Sequence, residues 1–223
     1  MRMQHLPAPG GLPATQLWVM LPGAYMKPAD FIEAGFADAV RERGLPHQIA
    51  LLEADLPDVA DGSALAFLQS FLCADSPATA HLRVCVLGIS LGAHLALACL
   101  ARACHGGHEA AAAARVASAC LLAPYLGPRD IIAEAESAGQ PAGRSPAPPH
   151  SDIDRRIWQW LQREAPAHGI HLGYGSEDRF AKGHALMARS LGPGRVDVQP
   201  GGHAWPVWTA LWNRHLDRNY ARH

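Results

Sequence analysis

Gly88-Ile89-Ser90-Leu91-Gly92 sets a serine between small residues, after the apolar run Val84-Cys85-Val86-Leu87 and before a nearly all-apolar segment, Leu91 to Ala103. Strand, sharp turn and helix in that order form the context in which G-x-S-x-G becomes a nucleophile elbow. The small residues two before and two after the serine let strand and helix approach without a clash. The turn lifts the hydroxyl above the strand's carboxyl end and aims the first helical N–H groups at the reacting centre. An unassisted serine hydroxyl is a weak nucleophile, so a base and a group to orient that base are needed.

Two later strand ends offer them. Ile170 to Tyr174 runs into Gly175-Ser176-Glu177-Asp178, and Arg195 to Gln199 runs into Pro200-Gly201-Gly202-His203. Carboxyl ends of parallel strands are where doubly wound sheets hold their ligands. Asp178 would fix the tautomer of His203, and His203 would take the proton from Ser90. Glu177, Asp197, His184 and His215 compete for these roles. Asp197 lies inside a strand, however, and His184 and His215 read as helix-face residues. An oxyanion needs two N–H donors. Leu91 supplies one, and the turn Pro22-Gly23-Ala24-Tyr25 should supply the other from Ala24, with Tyr25 in reserve.

These residues need a frame. Leu17 to Leu21, Gln48 to Leu52, Val84 to Leu87, Val116 to Ala123, Ile170 to Tyr174 and Arg195 to Gln199 read as strands. Helical spacing recurs between them, over Asp30–Arg43, Gly62–Cys73, Leu91–Ala103, Ile153–Leu161, Phe180–Leu191 and Trp205–His215. Alternating strands and helices imply crossovers, and continuous apolar strands imply a sheet covered on both faces. The expected fold is therefore α/β: a doubly wound, mostly parallel six-stranded sheet in one domain, residues 1–223. Residues 127–160 break the rhythm and read as a lid-like excursion, with Ala138 to His150 rich in Pro, Gly and Ala.

Composition narrows the classes. With 223 residues and a net charge of −1, the chain can bury a core without staples and has no general grip on nucleic acid. It is 49% hydrophobic, yet no run approaches a membrane span, and Met1 to Gln16 lacks a signal-peptide core. A cytoplasmic protein is expected, and its five cysteines read as free thiols. Cys104-His105-Gly106-Gly107-His108-Glu109 groups metal-ligand residue types, but the glycines more simply stop a helix. No metal or cofactor is expected. Tyr25, Trp158 and Trp205 are the candidate substrate contacts.

Leu21-Pro22-Gly23, Gly88-Ile89-Ser90-Leu91-Gly92, Gly175-Ser176-Glu177-Asp178-Arg179-Phe180 and Gly201-Gly202-His203 resemble the landmark motifs of the α/β-hydrolase superfamily. The likeness runs from about Leu17 to the end and is greatest to small bacterial serine esterases. It implies a Ser–Asp–His triad, in that chain order, and acyl transfer without a cofactor. In two places the chain departs from the pattern. No counterpart of the usual opening antiparallel strands is evident before Leu17, and Pro22 stands where many members carry His. The expected substrate is a small ester or thioester, cleaved by hydrolysis. The alternatives are a thioesterase or acyltransferase with the same triad, or a hydrolase-fold binding protein without turnover.

Overall fold

Side chains alternate between two cores along the central strands. On the strand Gln16–Leu21 (β2), Leu17, Val19 and Leu21 pack into one apolar cluster, and Trp18 and Met20 into another. On Arg83–Ile89 (β4), Val84 and Val86 face the first cluster, and Cys85, Leu87 and Ile89 the second. A strand buried on both faces reads as continuously apolar, as these two do.

A computed structural model of the chain describes residues 1–11, 13–74, 80–102, 107–137, 150–165 and 169–220. The other strands are Arg2–Leu6 (β1), His47–Glu53 (β3), Val116–Leu122 (β5), Ile170–Gly175 (β6) and Val196–Gln199 (β7). The seven strands lie in the order β1-β3-β2-β4-β5-β6-β7, with β1 antiparallel to β3 and the others parallel. The helices are Pro28–Glu33 (α1), Phe36–Glu42 (α2), Leu56–Ala60 (α3), Ser63–Cys73 (α4), Leu91–Ala101 (α5), Gly107–Arg115 (α6), Arg129–Ser137 (α7), His150–Arg163 (α8), Ala181–Ala188 (α9) and Trp205–Tyr220 (α10). Buried residues of α1, α2 and α10 cover one face of the sheet, and those of α4, α5, α6 and α8 the other.

The sheet has one strand more than the sequence suggests. β1 is an edge strand, paired on one side only, and every residue in it is exposed or half-buried. Without a buried face it leaves no apolar signature. It is antiparallel, so the chain does carry an opening antiparallel strand before Leu17. The single helix expected over Asp30–Arg43 is broken at Gly35, which holds a left-handed φ of 80°. Where it is described, the excursion is helical over Arg129–Ser137 and from His150 onward. Ile131 of α7 and Ile157, Trp160 and Leu161 of α8 are core residues. The stretch expected to be irregular falls almost wholly at 138–149, outside the described residues.

Several histidines are buried within this frame. Burial lowers His47 and His94 to about 4 and His215 to about 3. The folded chain therefore refuses protons that the unfolded chain accepts near pH 6.5. Stability should be level above pH 7.5 and fall as pH drops from about 6.5 to about 4. Each histidine contributes roughly 3 kcal/mol by the end of that window. Thermal melts at stepwise lower pH test this. A melting temperature unchanged between pH 7 and pH 4.5 would contradict it.

Candidate active site

Ser90 sits between β4 and α5 at φ 53° and ψ −110°, a backbone region that L-residues seldom occupy. Three backbone hydrogen bonds hold it there. Its N–H donates to the Leu122 carbonyl at 2.9 Å, and its own carbonyl accepts from His94 N–H at 3.1 Å and Tyr125 N–H at 3.0 Å. The flanking glycines are required sterically. A Cβ on Gly88 would lie 2.5 Å from Cα of Ala93, and one on Gly92 would lie 2.1 Å from the Leu21 carbonyl oxygen.

Asp178 follows β6, and His203 lies in the loop between β7 and α10. His203 Nδ1 donates to Asp178 Oδ2 at 2.7 Å, and Phe180 N–H donates to Oδ1 at 2.8 Å. Burial pushes the Asp178 carboxyl up, but these hydrogen bonds outweigh it and hold the group below its ordinary value. Asp178 is thus a carboxylate at neutral pH, and His203 keeps Nε2 as its second ring nitrogen. Backbone contacts bring the two loops together. Ser176 N–H donates to the Gln199 carbonyl at 2.7 Å, and Glu177 N–H to the Gly201 carbonyl at 2.9 Å. Gly175 permits the approach, because a Cβ there would lie 2.1 Å from the Gly201 oxygen.

The competing groups are engaged elsewhere. Asp197 pairs with Arg218 through two hydrogen bonds of 2.8 Å. His184 is fully buried and its Nε2–H donates to the Pro124 carbonyl at 2.9 Å. His215 is buried against Trp18 and Trp212, and Glu177 is exposed.

The turn after β2 and the start of α5 line one narrow slot. Ala24, Tyr25 and Leu91 all border it, together with Leu52, Leu56, Val59 and Leu95. Leu91 opens α5, so its N–H has no acceptor within the helix. In the turn, Gly23 N–H donates to the Met26 sulfur at 3.2 Å, and Met26 N–H to the Gly23 carbonyl at 3.2 Å. The Ala24 and Tyr25 N–H groups meet no acceptor among the described residues. Tyr25 itself is 87% exposed at φ 63°.

Two of the proposed substrate contacts lie apart from this slot. Trp158 is buried on α8, with its indole N–H donating to the Leu126 carbonyl at 3.0 Å. The ring joins the core cluster that also holds the α5 residues, which its position in the excursion did not reveal. Trp205 packs on Phe31, Phe36 and Trp208, with centroids 5.4–5.8 Å away. The rings that touch the His203 imidazole are Trp208 at 4.9 Å and Phe180 at 5.3 Å, both T-shaped. Trp208 was legible only as one residue of the helix read over Trp205–His215, and Phe180 as the last residue of the Gly175–Phe180 motif and the start of a helix. The Cys104–Glu109 window lies partly outside the described residues, and no group of metal-ligating residues occurs among those described. No described helix is long and apolar enough to cross a membrane.

No protein-family model matches the sequence, and no curated protein sequence matches it significantly. Solved structures do resemble the fold. FphF, a fluorophosphonate-binding serine hydrolase of Staphylococcus aureus, superposes with a TM-score of 0.60 at 12% identity, over 97% of this chain and 91% of that one. A lipase/esterase from Lactobacillus plantarum gives 0.59 at 17% identity, over 97% and 91%. MGS-MChE2, an alpha/beta hydrolase enzyme from a sediment metagenome of the Mar Chica lagoon, gives 0.59 at 18%, over 98% and 94%. Likeness at these identities is likeness of fold.

Proposed function

We propose that this chain, which has the α/β-hydrolase fold, is a serine hydrolase that cleaves a carboxylic ester through an acyl-enzyme on Ser90. The observation that carries this reading is the 2.7 Å His203–Asp178 hydrogen bond, at the same edge of the sheet as the strained Ser90 elbow. A base oriented by a carboxylate, with a serine raised on a turn at the same sheet edge, has the components of acyl transfer.

In the first step His203 Nε2 takes the Ser90 proton as Oγ attacks the ester carbonyl. Negative charge then develops on the carbonyl oxygen. The N–H groups of Leu91 and of Ala24, or of Tyr25 in its place, stabilise it. Asp178 stays ionised, keeps Nδ1 protonated and steadies the imidazolium. The imidazolium gives its proton to the departing alkoxide. In the second half, His203 activates a water that attacks the acyl-enzyme, and Ser90 regains its proton from His203. Trp208 and Phe180 confine the imidazole ring through both halves.

A fluorophosphonate probe tests the nucleophile directly, because it phosphonylates only an activated serine. The wild-type chain should become labelled at Ser90, and Ser90→Ala should remain unlabelled. An unlabelled wild type, or equal labelling of the variant, would overturn the reading.

A further inference from the structure

We infer that His94 and His184 are positioning residues for the nucleophile: their rings hold the Pro124–Tyr125 segment, and that segment holds Ser90 in its strained conformation. The inference rests on the serine-hydrolase reading above and adds to it two residues that touch no reacting atom.

The chain after β5 is strained like the elbow beside it. Ala123 stands at φ 47°, although a residue before proline ordinarily takes an extended conformation. Backbone this unusual persists only where its surroundings over-determine it. Ser90, at φ 53°, is tied to both sides of this stretch. Its N–H donates to the Leu122 carbonyl, and its carbonyl accepts from Tyr125 N–H.

One peptide plane sets the direction of the second bond. The Pro124–Tyr125 peptide is trans, so its carbonyl and its N–H point opposite ways. His184 Nε2–H donates to that carbonyl at 2.9 Å, and the N–H donates to Ser90 at 3.0 Å. The imidazole on α9 therefore fixes the plane whose N–H holds the elbow. His94 acts one peptide further on. Its Nδ1 lies 3.2 Å from the Tyr125 carbonyl, which can only accept, so Nδ1 carries the hydrogen. With the carbonyls on both sides held, Tyr125 cannot turn its N–H away from Ser90.

Neither ring has a part in the triad. His184 is 0% exposed, and burial holds it below its ordinary pKa. The neutral ring has one N–H, which Pro124 takes, and Nδ1 is left without a hydrogen-bond partner. An idle buried nitrogen is unfavourable, and an apolar side chain would fill the space without it. The bond to Pro124 is what the histidine contributes. His94 is 8% exposed, and its Nε2 lies 3.7 Å from Asp154 Oδ1, longer than a hydrogen bond.

The test compares amide replacements. Glutamine places its NH₂ about where Nε2 stands, and asparagine about where Nδ1 stands. The fluorophosphonate labelling rate of Ser90 and kcat on p-nitrophenyl acetate are measured on the full-length chain, below each variant's melting transition. His184→Gln and His94→Asn should stay within about threefold of the wild type. His184→Asn and His94→Gln should each be slower by about thirtyfold or more, because the serine is misplaced. The opposite order at the two positions separates a hydrogen-bond role from cavity filling. His184→Asn should also leave the midpoint of the kcat/KM pH profile in place, since His203 and Asp178 are untouched. A shifted midpoint would show that His184 acts through the Asp178 charge, and would overturn the assignment. If wild-type Ser90 is labelled but the two amides behave alike at both positions, the assignment is overturned alone. If the wild type is unlabelled and cleaves no ester, the hydrolase reading falls and takes the assignment with it.

Discussion

Replacing His203 by alanine is expected to lower kcat on p-nitrophenyl acetate by about four orders of magnitude or more. A loss of that size corresponds to about 5 kcal/mol of transition-state stabilisation. The effect is large because in the proposed reaction the imidazole serves both halves, as base and then as acid in each. Asp178→Asn should cost nearly as much, by a different route. The Asp178 carboxylate now accepts from Nδ1 of His203 at 2.7 Å, while its other oxygen is held by Phe180 N–H. With that second bond kept, an asparagine turns its NH₂ toward Nδ1. The neutral imidazole then shifts its proton to Nε2, the atom that must accept from Ser90. The ring stays in place, but its tautomer is wrong. The double variant should be scarcely slower than His203→Ala alone, because the groups act as one unit. Steady-state kinetics of the three variants check the pattern. Retention of a tenth of wild-type activity by His203→Ala would show that another group serves as base.

Much of the proposed site was legible in the sequence because its residues sit where local patterns are most rigid. An elbow needs an apolar strand, small residues around a serine and a helix, all of them short-range features. The end of β6 was likewise marked by a strand-like run that stops at a Gly-containing turn, and the end of β7 by alternating Val196 and Val198 before Pro200-Gly201-Gly202. What stayed hidden depends on contacts between distant segments. β1 has only one neighbour and no buried face, so its residues carry no period. The approach of Gly175 to Gly201 joins two loops across the sheet edge and leaves no mark beyond two ordinary glycines. Trp158 and Trp205 show the same limit in reverse. An aromatic close in sequence to a functional loop can face the core, while Trp208, one helical turn after Trp205, meets the imidazole. The slot combines both cases, since Leu52 and Leu95 lie in a strand and a helix that read only as core.

Gly92→Ala is expected to cripple the proposed activity without touching a reacting atom. The added methyl would stand 2.1 Å from the carbonyl oxygen of Leu21 and 2.6 Å from that of Pro22. Both atoms are backbone, so no side chain can swing away to relieve the overlap. Either α5 moves out, carrying Leu91 N–H and the elbow with it, or the turn after β2 moves and displaces Ala24. Each route separates the two sides of the oxyanion site by about an ångström, a shift that commonly costs about a hundredfold in rate. Overpacking should also destabilise the fold by about 1–3 kcal/mol, a fall in melting temperature of roughly 2–12 °C for a chain of this length. Gly35→Ala is the matched comparison. It also strains the backbone, at φ 80°, but a Cβ there meets nothing within 4 Å, and the residue lies between α1 and α2, away from the elbow. That variant should lose about 1–2 kcal/mol of stability and keep its turnover. Thermal melts and fluorophosphonate labelling rates on both variants separate the two effects. If Gly92→Ala labels at the wild-type rate, the oxyanion donors do not depend on the packing of α5 against the turn.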